Sequence, residues 1–75
     1  MTKEAIFARL QFVDKQLANF RKRLLSATEY YCDALLRGTD KEQDDFARDM
    51  KFAQMRFEFY ALERAELYAA LDEIQ

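Results

Sequence analysis

The sequence predicts an all-α fold, an antiparallel hairpin of two long helices, and three observations carry that expectation. The 75 residues contain no proline and a single glycine, Gly38, which lies almost midway. Apolar residues alternate at spacings of four and three on both sides of it, the pattern of a coiled-coil seam. The residues directly after the glycine have the chemistry of a helix start.

The first helix is expected over residues 3–37. Its seam reads Ile6, Leu10, Val13, Leu17, Phe20, Leu24, Ala27, Tyr31 and Ala34 without a miss, and Arg37 in the last turn complements the helix dipole. A turn is expected at about 38–40, with Gly38 in the left-handed conformation that commonly ends helices. Thr39 and Glu42 then form a capping box, and Asp40, Asp44 and Asp45 add negative charge to the first turns of the next helix. That helix is expected over 41–74. Its seam reads Phe46, Met50, Ala53, Phe57, Tyr60, Leu67, Leu71 and Ile74, with Arg64 as the one exception.

Folding back at Gly38 registers the two seams, with expected layers running from Ala34/Phe46 through Phe20/Tyr60 and Leu17/Arg64 to Ile6/Ile74. Helices of this length are roughly 50 Å long at 1.5 Å per residue. The whole chain is one rod-shaped domain.

One seam uses fewer than half of the hydrophobic residues, which make up 51% of the chain. A chain this short buries only about 60% of its unfolded surface as a monomer. One cysteine permits no internal disulfide, and without histidine there is no ordinary zinc site. Oligomerisation or a partner is the remaining source of stability.

The second helix indicates where. Phe52, Met55, Phe59 and Leu62 form another stripe at spacings of three, four and three, at heptad positions c and f, opposite the seam. Arg48 and Glu66 stand at its two ends. The stripe centres near residue 57, close to the middle of the helix, where a two-fold axis would lay it on its own copy. A homodimer forming a four-helix assembly is the expectation. The first helix widens its apolar arc with Ala18, Leu25 and Cys32, joined by Leu35, Leu36, Phe7 and Phe12. Leu25 and Cys32 therefore join the four stripe residues as expected interface residues.

Catalysis is not expected. There is no histidine to act near neutral pH, and Ser26, the only serine, lies mid-helix without a base at a useful spacing. Cys32 next to Asp33 reads as a small apolar residue rather than a reactive thiol. The acidic run 40–45 lacks the glycine and the terminal glutamate of a calcium loop. No cofactor or metal is expected.

Net charge is −2, but it is unevenly divided. Residues 1–37 carry seven basic and four acidic groups, residues 38–75 five and ten. Mutual attraction of the helices accounts for this, with Arg21, Lys22 and Arg23 level with Glu58 and near Glu63. An RNA-binding face using Lys15, Arg21, Lys22 and Arg23 is the alternative. Arg64 is expected to snorkel beside Tyr60 and Tyr68 towards Asp14 or Gln16. No stretch is long and apolar enough for a signal peptide or a membrane span, so the chain reads as soluble and cytoplasmic, with no membrane partner.

In architecture the hairpin, with its Leu36-Arg37-Gly38 turn region, resembles two groups of small helical proteins. One is the plasmid-copy-control Rop family, whose likeness implies a dimeric four-helix bundle that binds RNA through its first helices. The other is the small co-chaperones of type III secretion needle subunits, whose likeness implies an adaptor covering an apolar helix of a larger helical partner. The likeness is one of shape and transfers no site residue. The leading expectation is a self-associating protein-interaction module.

Overall fold

Two helices of 35 residues each, α1 (Lys3–Arg37) and α2 (Asp40–Ile74), make up the computed structural model, which describes residues 2–74. They fold back on each other into a rod of 54 × 14 × 12 Å. Thr2 caps α1: its hydroxyl oxygen accepts from the Ala5 N–H at 3.2 Å, and Glu4 adds negative charge to the first turn.

The turn is two residues long, Gly38 and Thr39, and α2 begins at Asp40, one residue earlier than expected. The capping box forms. The Glu42 N–H donates to Thr39 Oγ1 at 3.2 Å, and Glu42 Oε1 accepts from the Thr39 hydroxyl at 3.2 Å and its backbone N–H at 3.5 Å. Gly38 departs from expectation. Its φ is −90° and its ψ is 170°, extended and not left-handed. The reason for glycine here is close approach, since a Cβ at this position would lie 2.8 Å from the Ala34 Cα and 2.9 Å from its carbonyl oxygen. That oxygen accepts the Gly38 N–H at 2.8 Å and also the Gln43 side-chain amide at 3.2 Å, so α2 is tied to the end of α1.

The seam packs as the spacing predicts, but in a register about one helical turn away from the expected layers. Ile6, Leu10 and Val13 cluster with Leu67 and Leu71, while Ile74, the expected partner of Ile6, is 47% exposed. Tyr60 touches both Phe12 (6.2 Å between ring centroids) and Phe20 (6.0 Å), which sets it opposite residues 16–17. Phe20 in turn reaches both Phe52 and Tyr60, and so lies opposite residues 56–57. With the helices ending at Arg37 and starting at Asp40, the mirror point falls between Gly38 and Thr39, so Ala34 lies level with Gln43 and Ile6 with Leu71. A four-three stripe repeats every turn and accepts this register as readily as the expected one.

Side-chain size divides the core. Near the open end the buried residues are Ile6, Leu10, Val13, Leu67 and Leu71; towards the turn they are Ala27, Ala34 and Ala53. Small residues let helix axes approach closely, and larger ones hold them apart. Arg64 reaches out of the seam as expected. Its Nε lies 2.9 Å from Asp14 Oδ1, and its guanidinium rests 5.3 Å from the centre of the Tyr68 ring.

Candidate interaction surface

Helical geometry sorts the surface into two flanks and two backs. Residues advance by 100° each, so positions seven apart align and positions two apart lie on different sides. Arg9 and Glu63 each immediately precede a seam residue, as do Arg23 and Asp49, and all four fall on one flank. There they pair. Arg9 donates from Nε to Glu63 Oε2 at 2.5 Å and from its terminal nitrogen to Oε1 at 3.0 Å, a bidentate contact. Arg23 donates to Asp49 Oδ1 at 2.9 Å. The expected pairing of the Arg21–Arg23 cluster with Glu58 and Glu63 is therefore replaced: Arg23 takes Asp49, Glu63 is held by Arg9, and Glu58 accepts from Gln54 at 3.2 Å. The cause is helical angle: Asp49 precedes a seam residue and shares the flank of Arg23, whereas Glu58 follows the seam residue Phe57 and points away from that flank.

Between these two ion pairs runs an aromatic ladder. Phe12, Phe20, Phe52, Phe59 and Tyr60 are linked by edge-on and stacked contacts with ring centroids 5.3–6.4 Å apart. Arginines lie on its faces. Arg9 stands 4.6 Å from the Phe12 ring centre, while Arg23 and Arg56 stand 5.0 and 5.5 Å from that of Phe52. The ladder turns outward over the back of α2, where Phe52, Met55, Phe59 and Leu62 are 41%, 69%, 57% and 63% exposed. These four residues are together, as expected. A shallow hollow of about 250 Å³ is lined by Phe52, Met55, Arg56 and Phe59, and a second of about 420 Å³ by Arg9, Phe59, Leu62, Glu63 and Glu66. Phe59 borders both.

The other two expected interface residues lie elsewhere. Leu25 follows Arg23 by two residues, about 200° around α1, and Cys32 is a heptad further on. Both are exposed, on the flank away from the aromatic ladder. Of the expected nucleic-acid contacts, Arg23 is committed to Asp49 and Phe52; Lys15, Arg21 and Lys22 are exposed. Sequence reasoning missed the bidentate Arg9–Glu63 pair. Its signal was present, since both residues directly precede seam positions and carry opposite charge.

That pairing perturbs both of its groups. The hydrogen bond from Arg9 holds the Glu63 carboxyl below its ordinary 4.5, against the opposing effect of desolvation. Among the described residues no helix is long and apolar enough to cross a membrane. No family model, curated protein or solved structure matches the chain.

Proposed function

We propose that this hairpin is a protein-interaction module without catalytic activity, and that it self-associates through the back of α2. One observation carries the reading: four large apolar side chains, Phe52, Met55, Phe59 and Leu62, stand contiguous and largely exposed at the middle of a helix whose opposite side already packs against α1. A contiguous apolar surface of this kind marks an interaction site, whereas single exposed apolar residues are ordinary. The hairpin's own core is narrow, and covering this stripe adds the burial that so small a chain lacks.

Sedimentation equilibrium of the purified chain tests the proposal. A dimer that persists between about 0.1 and 0.5 M salt is expected, because apolar burial is not screened as exposed charge is. Phe59→Glu places a charge in the middle of the stripe and leaves a helical monomer. A wild-type monomer at every concentration would overturn the reading. Binding of RNA with an affinity falling steeply as salt rises would replace it with the nucleic-acid alternative.

A further inference from the structure

The back of α2 is more ordered than a patch. From Arg48 the stripe continues as Phe52, Met55, Phe59, Leu62 and Glu66, at spacings of four, three, four, three and four. This is a second heptad seam, set opposite the first, and it reads symmetrically from either end. A basic residue opens it, four apolar residues fill it and an acidic residue closes it. All six are exposed. In the parallel alignment of two copies, Arg48 would meet Arg48 and Glu66 would meet Glu66. In the antiparallel alignment every layer is favourable.

On these grounds we infer that the occupant of this surface is a second copy of the same chain, docked α2 against α2 in antiparallel register about an axis near residue 57. This inference rests on the self-association proposed above and fixes its geometry. Phe52 then packs on Leu62 of the second copy and Met55 on Phe59. Arg48 faces Glu66 of the second copy at both ends. Phe59, bordered by a hollow on each side, serves as the knob, and the equivalent hollows of the second copy receive it.

The flanking charges agree independently. Within the hairpin, Arg9 and Glu63 pair because each directly precedes a seam residue, Leu10 and Arg64. Lys51 and Glu58 stand in the same relation to Phe52 and Phe59 of the second seam. The antiparallel register brings Lys51 to Glu58 of the second copy, and by symmetry Glu58 to Lys51. Opposite charges thus meet wherever the chain supplies charges next to this seam's centre. Because the second seam lies opposite the first, the dimer is a flat row in the order α1, α2, α2, α1, with both second helices inside.

Charge reversal tests the register by sedimentation equilibrium at low salt. Arg48→Glu and Glu66→Arg each create two like-charge contacts per dimer, and each is expected to raise the dimer dissociation constant at least about tenfold. The double variant Arg48→Glu/Glu66→Arg restores dimerisation to within about threefold of wild type. An equimolar mixture of the two single variants forms a heterodimer tighter than either homodimer. Circular dichroism of each variant confirms that the helices persist. A dimeric wild type whose double variant stays as weak as the singles, or whose singles match wild type, overturns the antiparallel register and leaves self-association standing. A monomeric wild type overturns both.

Discussion

The Gln43 side chain donates to the Ala34 carbonyl oxygen at 3.2 Å, and that same oxygen accepts the last backbone hydrogen bond of α1, from Gly38. One buried residue of the first helix thus anchors both sides of the turn. Gln43→Ala removes the side-chain bond but leaves the carbonyl partnered by Gly38. It is expected to cost about 1 kcal/mol, the ordinary net worth of a single hydrogen bond, measured by urea unfolding at fixed protein concentration.

Gly38 separates two explanations of a helix-ending glycine. Had it been left-handed, asparagine would be tolerated better than alanine. Its backbone is extended, and the obstacle is the Ala34 backbone 2.8 Å from any Cβ. Gly38→Ala and Gly38→Asn are therefore expected to destabilise alike, by roughly 1–3 kcal/mol, as overpacking does. A clear advantage for asparagine would contradict the close-approach account.

The register makes opposite statements about two isoleucines. Ile6 is fully buried and Ile74 is 47% exposed. Ile6→Ala is expected to cost about 2–5 kcal/mol through lost burial and the cavity left behind. Ile74→Ala stays within about 0.5 kcal/mol, as surface changes do. Equal losses at both positions would restore the layer that pairs them.

Acid titration reads the Arg9–Glu63 contact. The folded chain holds Glu63 ionised to lower pH than the unfolded chain does, so below about 4.5 the unfolded state binds more protons. The stability from this pair is fully present above that value and is lost as pH falls through the depressed folded pKa. Glu63→Gln removes this part of the dependence, flattening the acid limb of a plot of urea midpoint against pH.

Arg64 occupies a seam position while its charge lies outside, 2.9 Å from Asp14. Exposed pairs contribute little. Arg64→Leu, which puts an apolar side chain in the seam, is expected to change thermal stability by no more than about 1 kcal/mol. A larger loss would show that the pair with Asp14 and the contact with Tyr68 hold the middle of the hairpin.

Much of this architecture was legible in the order of residues. Four-three spacing, interrupted only at Arg64, defined both helices, and Thr39 and Glu42 announced the cap. Of the two partners expected for an outward-reaching Arg64, Asp14 and Gln16, the side chain takes Asp14. What was not legible depended on distance across the chain. A four-three stripe repeats itself at each turn and accepts registers one turn apart, and the choice between them has no local signature. The pairing of Arg23 with Asp49 instead of Glu58 was open to helical angles, since Asp49 precedes a seam residue, as Arg23 does, and Glu58 follows one. Gly38 was identified as the break, but a steric reason that lies in the Ala34 backbone cannot be read from a single glycine. The separation of Leu25 and Cys32 from the Phe52–Leu62 stripe was available from helical angles alone.

The uneven core has a consequence in time. Closing a loop costs entropy that grows with its length, so Ala34 and Gln43 meet early and Ile6 meets Leu71 last. Of the buried residues, Ala34, Ala27 and Ala53 lie towards the turn and Ile6 and Val13 at the far end. A hairpin that zips from its turn is therefore expected to bury Ile6 and Val13 last, after the folding barrier is crossed. Truncating Ile6 or Val13 should act on the lifetime of the native rod more than on the speed with which it assembles.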